Sequence, residues 1–313
     1  MKWMSGLEFR LSAGLWRTAW FLAIPLAAGC SMQQFVINRV GDALASGGTV
    51  YAQDDDPELV AAATPFGLKL TESLLAESPN HRGLLLAAAR GFTQYAYAYV
   101  ELPADLIEER DVAAAYAARD RARRLYLRAR DYGLRGLSAN HPGFAARLQS
   151  DPDAAVTSVG QDDVALLYWT AAAWGAAISL GKNDPTLLAD LPRMERLAGR
   201  ALELDEAYGS GSLQVLHISL AMSQPWPQSR RLDAARQHFD RAVQLSHGQQ
   251  AAVFVTYAEA VAIATGKRDE FERLMDLALR VDADAVPEAR LVNALFQRRA
   301  RWLRSHADQF FSQ

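Results

Sequence analysis

The feature that most restricts the fold of this chain is its alternation of helix-length segments with short breaks rich in proline, glycine and asparagine. Half of the 313 residues are apolar, alanine is very frequent, and β-branched residues are sparse and scattered. Alanine favours helices, whereas β-branched residues favour strands. Breaks such as Ser78-Pro79-Asn80 and Asn140-His141-Pro142-Gly143 end one helix and start the next. The sequence therefore predicts an all-α fold.

The expected helices are long and the linkers between them are short. A first helix is expected from Gln33 to about Ala45, followed by a break at residues 46–49 and a loop to Gln53. Asp56 as N-cap and Pro57 at the first helical position then form a strong helix start. Only short helices are expected in residues 141–160. The remaining helices are predicted at about 57–77, 82–100, 104–135, 161–180, 185–204, 208–222, 229–246, 249–265, 268–281 and 287–305.

An internal period indicates how these helices are arranged. Short linkers favour antiparallel helix hairpins in series. Ala235, Phe239 and Ala242 have the small, aromatic, small spacing of a tetratricopeptide repeat, and a similar spacing begins at Phe271, 36 residues later, and continues through Met275 and Ala278. Small residues at such positions let neighbouring helices approach closely. We expect a tetratricopeptide-repeat-like α-solenoid; an irregular helical bundle is the alternative.

Cys30, the only cysteine, follows a sequence typical of an export signal. Basic residues precede an apolar stretch from Ala19 to Ala28, which is short for a transmembrane helix and is interrupted by Pro25. We expect cleavage before Cys30 and acylation of its side chain and new N-terminus. The alternatives are a buried free thiol and an ordinary cleaved signal. The predicted organisation is a signal peptide at 1–29, a tether with the first helix at 30–56, and a repeat domain at 57–313.

Charge and location restrict the partners of the mature chain. Removal of residues 1–29 leaves 30 of the 33 basic and 35 of the 36 acidic residues, a formal charge of −5. This balance gives no electrostatic support for nucleic-acid binding. The signal predicts a periplasmic protein held on a membrane by acyl chains. Ser31, which follows the cysteine, favours the outer membrane.

No motif in the chain indicates catalysis, a cofactor or a metal. The six histidines lack metal-ligand spacing, and there is no second cysteine to complete a thiolate site. Neither a phosphate-binding loop nor a nucleophile elbow is present. Carboxylates are plentiful, and a glycosidase-type acid pair stays open because nothing selects two of them. The expectation is a protein that is not an enzyme, with an envelope hydrolase as a remote alternative.

Aromatic clusters are the candidate binding features. Residues 92–99 place rings all around one helix, and Tyr168 to Trp174 do the same on another. A helix that is apolar on every side is either buried on every side or borders an apolar cavity. Core packing is one interpretation. The other is a ligand pocket or channel with amphipathic side chains, for which the candidates are Gln94, Tyr95, Tyr97, Trp169 and Trp174.

Several segments together resemble the TatT family, the lipoprotein T component of tetratricopeptide-associated TRAP (tripartite ATP-independent periplasmic) transport systems. The likeness covers nearly the whole mature chain, and the run from Glu72 to Ala96 is its most specific part. The segments that carry it are Gly29-Cys30-Ser31, Asp55 to Leu59, Glu72 to His81, Gly91 to Ala96, Arg123 to Tyr126, Tyr132-Gly133-Leu134, Leu167 to Trp169 with Ala173-Trp174, and Phe239 to Ala242.

The resemblance implies a periplasmic, lipid-anchored helical protein that assembles as a homotrimer with a central pore. It further implies association with a solute-binding protein, the P component, which delivers small organic ligands to a membrane permease. Apolar ligands are suggested for the family, and no catalytic residues carry over. The competing hypothesis is an envelope scaffold lipoprotein that binds peptides or assembly proteins without a transport role.

Overall fold

A computed structural model describes residues 48–311, and these residues form helices without any β-strand. The all-α prediction is thus confirmed. Cys30 and the predicted helix 33–45 lie outside the described residues. The α-helices are α1 Gly48–Ala52, α2 Pro57–Glu77, α3 Arg82–Ala96, α4 Leu102–Glu108, α5 Val112–Asn140, α6 Phe144–Ser150, α7 Pro152–Thr157, α8 Val164–Leu180, α9 Pro185–Leu188, α10 Leu191–Leu204, α11 Ser212–Ser223, α12 Gln228–Leu245, α13 Ala251–Tyr257, α14 Arg268–Arg280, α15 Arg290–Ser305 and α16 Ala307–Phe311.

Short 3₁₀ and π segments join or extend several of these helices. The π segments are Tyr97–Glu101, between α3 and α4, and Ala258–Ile263, which continues α13. The 3₁₀ segments are Gln161–Asp163, Tyr208–Ser210 and Pro287–Ala289. The predicted N-cap is present at α2, where a side-chain oxygen of Asp56 accepts a hydrogen bond of 2.9 Å from the backbone N–H of Leu59.

Three expectations about local structure were wrong. The helix expected at 104–135 is divided, because the chain breaks at residues 109–111 and Asp111 caps a new helix, accepting from the backbone N–H of Ala114 at 2.9 Å. The helix expected at 185–204 is divided at Ala189 and Asp190, because Pro192 has no backbone N–H to donate to the preceding turn. Residues 48–52, expected as a loop, form the short helix α1.

The core is built from helices that follow one another in the chain. α5 packs between α3 and α8, α8 also packs on α10, and the C-terminal part pairs α11 with α12 and α13 with α14. At the predicted repeat positions, Ala235, Phe239 and Ala242 are buried, and so are Phe271, Met275 and Ala278. These positions therefore pack as a tetratricopeptide repeat would need; the repeat assignment itself stays a prediction.

The last long helix returns to the beginning of the described chain. α15 contacts both α1 and α2. Arg298 of α15 pairs with Glu58 of α2 at 2.7 Å, and the Arg290 guanidinium donates to the carbonyl oxygen of Gln53 at 3.1 Å. The series of helices thus closes on itself, which brings residues from opposite ends of the described segment into one site.

Candidate functional site

The five residues that the sequence predicts as a ligand site do not form one cluster. Gln94 is exposed on α3. Tyr95 packs against Tyr99 at 5.9 Å between ring centroids, and Tyr97 against Phe296 of α15 at 5.6 Å. On α8, Trp169 packs edge-on against Tyr168 at 4.9 Å, and Trp174 belongs to the core cluster that Tyr168 packs against.

Trp174 is the most deeply buried of the five, with 2% of its surface exposed. The guanidinium carbon of Arg130 lies 5.2 Å from its ring centroid, a cation–π contact. Its indole Nε1–H has no hydrogen-bond partner among the described residues. This environment is that of a core ring, and a ligand role for any of the five residues stays a prediction.

The closure of the chain creates a polar site that the sequence analysis did not identify. Its residues come from the Tyr97–Glu101 π segment, from α4 and α5, from the Ala258–Ile263 π segment and from α15. We call this site the seam. It comprises Tyr97, Glu101, Asp105, Arg119, Tyr126, Glu259 and Arg299. Single-turn π segments occur frequently at functional sites, because the extra residue changes the direction of the side chains that follow.

Arg299 is the centre of the seam. Its Nε and Nη2 donate to the same carboxylate oxygen of Glu259 at 2.9 and 2.7 Å, and its Nη1 donates to Asp105 at 2.6 Å. Asp105 also accepts from Arg119 at 2.7 Å. One guanidinium thus joins two carboxylates that are 154 positions apart in the sequence, numbers 105 and 259. The side chain of Arg299 is 13% exposed, so these bonds are largely shielded from water.

A second buried contact lies beside Arg299. The hydroxyl of Tyr126, which is almost fully buried, donates to Glu101. Burial raises the pKa of the Glu101 carboxyl, and the hydrogen bond from Tyr126 opposes that rise. Burial likewise raises the pKa of Glu259, against the attraction of Arg299. Burial of Glu101 and Glu259 therefore costs desolvation free energy, and the positive charge of Arg299 offsets part of that cost.

Sequence reasoning missed the seam because its residues are far apart in the chain. One local signal was available: Glu259 is the single charged residue in Ala251–Ile263, a segment that is otherwise uncharged and mostly apolar. A carboxylate in such a segment is rarely buried without a partner. The sequence did not reveal that Arg299 is that partner. The arginines of the seam pair with its carboxylates and the Tyr126 hydroxyl donates to Glu101, so we interpret the seam as a structural connection between helices.

A second surface feature is the outer side of α2. Leu59, Phe66 and Leu70 lie on one stripe of this helix and are 58%, 75% and 37% exposed. We call this stripe the α2 apolar face. By length and composition alone, Pro57–Glu77 and Gln161–Leu180 could cross a membrane. In the most apolar 18-residue stretch of each helix, 22% of the residues are buried in Pro57–Glu77 and 56% in Gln161–Leu180. Gln161–Leu180 is a core helix, whereas α2 presents its apolar stripe to solvent.

Among residues 48–311, no group of three or more His, Cys, Asp or Glu side chains is arranged to hold a metal ion. In the seam, Arg299 is paired with Glu259 and Asp105, and Arg119 is paired with Asp105 and with Glu108 outside the seam. These pairs connect α4 and α5 to α15 and to the Ala258–Ile263 segment.

Comparison with known proteins identifies the family to which the chain belongs. The sequence model of the family described as "TRAP transporter T-component" matches residues 53–311, which is most of the chain. The protein belongs to this family. An uncharacterized protein from Treponema pallidum (strain Nichols) is 30% identical over 309 residues, an alignment that covers 93% of this chain and 96% of the relative. The resemblance noted from the sequence is confirmed, and the T-component family is one of transport accessories and not a known family of enzymes.

Proposed function

We propose that the protein is a periplasmic, lipid-anchored accessory component of a TRAP-type transport system. In this role it docks a solute-binding protein and provides a pore or holding site for a small organic ligand. The observation that carries the proposal is the family match over residues 53–311. That match supports an accessory role in TRAP transport, and the docking partner and ligand are inferred beyond it.

The α2 apolar face supports docking of a protein. The closure of the chain brings α15 against α2, yet Leu59, Phe66 and Leu70 stay uncovered by the described residues. Clustered exposed apolar side chains mark interaction sites on soluble domains. We assign this face to the solute-binding protein. The homotrimer implied by the resemblance is part of the same proposal, and light scattering on the purified chain would measure it.

The proposal includes lipid attachment at Cys30. Replacing the cysteine removes the only acylation site, so Cys30→Ser is expected to move the protein from the membrane fraction to the soluble periplasm. Cell fractionation measures this directly. Persistence of the variant in the membrane fraction would contradict lipid anchoring at this position.

The decisive experiment is a pull-down from periplasmic extract with the Cys30→Ser chain as bait, read by mass spectrometry. Recovery of a solute-binding protein is expected. Phe66→Glu combined with Leu70→Glu should abolish that recovery, because two carboxylates would be buried against an apolar partner surface. Ser179→Glu, at an exposed position on α8, is the control and should leave it intact.

Recovery of envelope-assembly proteins alone would favour the competing function, an envelope scaffold without a transport role. Loss of oligomerisation in the Phe66→Glu, Leu70→Glu variant, with the solute-binding protein still recovered, would assign the α2 apolar face to a second copy of the chain instead.

A further inference from the structure

A groove on the C-terminal part of the molecule has the chemistry of a ligand site separate from the seam. It has a volume of about 690 Å³ and lies between α12 and α14, with the loop before α13 at one end. Ligand sites for small molecules typically have volumes of about 300 to 1,000 Å³. None of the residues predicted from the sequence as ligand contacts lines this groove.

The floor of the groove is apolar. Phe239 from α12, Phe254 from α13 and Leu274 from α14 are all nearly buried in the surrounding core and still line the groove. Val243 and Leu277 complete the floor and are partly buried. A surface of this kind binds hydrocarbon, because contact with an aliphatic chain removes apolar area from water.

The rim of the groove is cationic. Arg236 lies on the α12 side, and Arg273 and Arg280 lie on the α14 side, while Asp240 is the one carboxylate among the lining residues. The two α14 arginines are weakly held. Arg273 lies 3.7 Å from Glu270 and Arg280 lies 3.6 Å from Asp276, both beyond the distance of a good hydrogen bond. Their guanidinium donors are therefore available to an anion.

A further polar group in the groove also lacks a partner. The Gln249 side-chain oxygen is buried and has no hydrogen-bond partner among the described residues. Its backbone is fixed, because its carbonyl oxygen accepts from the Asn293 side chain at 3.0 Å. The side-chain amide could equally present its NH₂ group to the groove, since the two ends of an amide are assigned by their surroundings. The Gln249 side chain therefore has hydrogen-bonding capacity left for a polar group in the groove.

From these features we infer that the groove binds an amphiphilic monocarboxylate, with its aliphatic chain on the Phe239, Phe254 and Leu277 floor and its carboxylate between Arg273 and Arg280. Guanidinium groups match carboxylates in shape and charge. A neutral hydrocarbon would leave the arginine rim unused, and a cationic amphiphile would be repelled by it. This inference rests on the proposed function, since it names the class of small organic ligand that the accessory component holds.

The probe is decanoate, titrated by isothermal calorimetry below its micelle concentration into the Cys30→Ser chain without detergent. We expect saturable binding at one site per chain, and none for decyltrimethylammonium. Arg273→Gln combined with Arg280→Gln should weaken decanoate binding by about tenfold or more. Leu277→Trp, which fills the floor, should abolish it while the arginines remain.

The matched control is Arg124→Gln combined with Arg196→Gln. These arginines have side chains 61% and 49% exposed and lie on α5 and α10, outside the groove. The control should bind decanoate like the unchanged chain, and thermal melting of every variant reports whether it folds. Three outcomes would overturn the inference. Decyltrimethylammonium binds as well as decanoate, the control variant loses as much decanoate binding as the Arg273→Gln, Arg280→Gln variant, or the unchanged chain shows no saturable decanoate binding.

An acidic amphipathic peptide that binds where decanoate does not would also overturn it, in favour of a protein segment as occupant. The pull-down distinguishes this inference from the proposed function. Recovery of the solute-binding protein without decanoate binding removes the groove assignment alone. Failure to recover it, whatever decanoate does, removes the transport role.

Discussion

At the scale of single residues, Gly133 marks a close approach of α5 to α8. A Cβ atom added at Gly133 would lie 2.0 Å from the Thr170 hydroxyl oxygen and 3.3 Å from the Thr170 backbone. Thr170 is fully buried and its hydroxyl donates to the Leu166 carbonyl at 2.5 Å, so it has little room to move. Glycine at position 133 therefore permits the helix approach on which the middle of the core depends.

Gly133→Ala should lower the free energy of unfolding by about 1 to 3 kcal/mol, because overpacking forces strain on the two helices. Urea denaturation measures the change. The control is Gly199→Ala on α10, where nothing lies within 4 Å of the added Cβ. That variant should gain about 0.5 to 1 kcal/mol from lower backbone entropy in the unfolded chain. A Gly133→Ala protein as stable as the unchanged one would show that α5 and α8 can separate freely.

Trp174 separates the two interpretations of the aromatic clusters. Because its ring is buried beneath Arg130, Trp174→Ala should cost about 3 to 5 kcal/mol of stability. Gln94→Ala, at an exposed position, should change stability by less than about 0.5 kcal/mol. Thermal melting compares the two. An unchanged melting temperature for Trp174→Ala, together with loss of ligand binding, would instead support the pocket.

At the scale of elements, the seam connects α15 to α4 and to the Ala258–Ile263 segment. Arg299→Met should lower the free energy of unfolding by about 3 kcal/mol, since Glu259 would stay partly desolvated without its cation and Asp105 would keep only its pair with Arg119. Arg298→Met, one position away, removes only the exposed pair with Glu58 and should cost less than about 1 kcal/mol. Equal losses in the two variants would mean that the seam contributes no more than a surface ion pair.

Hydrogen exchange gives the second measurement for the same element. If Arg299 holds α15 against α4 and the Ala258–Ile263 segment, Arg299→Met should increase hydrogen exchange in the Tyr97–Glu101 and Ala258–Ile263 segments before it does so in α8. Local opening needs less free energy than global unfolding. Uniform faster exchange along the whole described chain would indicate a general loss of stability and not release of the seam.

At the scale of the whole molecule, stability should depend on pH through a pair of histidines. The rings of His217 and His238 are 5.2 Å apart, and His238 Nδ1 lies 2.7 Å from the Gln214 side-chain oxygen. Burial, with the neighbouring His217, lowers the pKa of His238 to about 4, and burial also lowers the pKa of His217. The folded chain therefore binds these protons more weakly than the unfolded chain does.

The stability that His238 contributes is therefore complete above about pH 6.5 and is lost as the pH falls toward 4. Glu101 and Glu259, whose pKa values are raised, act in the opposite sense near their own titration range. The comparison with His238→Gln isolates the histidine. The variant should lose less stability than the unchanged chain between pH 6.5 and 4, as measured by urea unfolding, and identical slopes would exclude His238 as the cause.

Much of this protein could be predicted from the sequence because the determining signals are local. Alanine frequency, Asp56 before Pro57, and the Pro and Gly breaks depend on backbone preferences within a few residues, and they identified the helical class and most helices. The family resemblance was likewise carried by short runs of residues. The break before Val112 was missed because Asp111 can cap a helix only where the chain has already turned.

The tertiary structure alone decided which distant side chains meet. In the sequence Asp105 and Arg299 look like ordinary surface residues and only Glu259 stands out, and the packing of α15 beside α4 and the Ala258–Ile263 segment brings the three side chains together. The groove between α12 and α14 arises in the same way, from arginines and apolar rings that no local pattern connects. Helix formation is a property of neighbouring residues, whereas desolvated charge pairs and cavities are properties of packing, and packing depends on the whole chain.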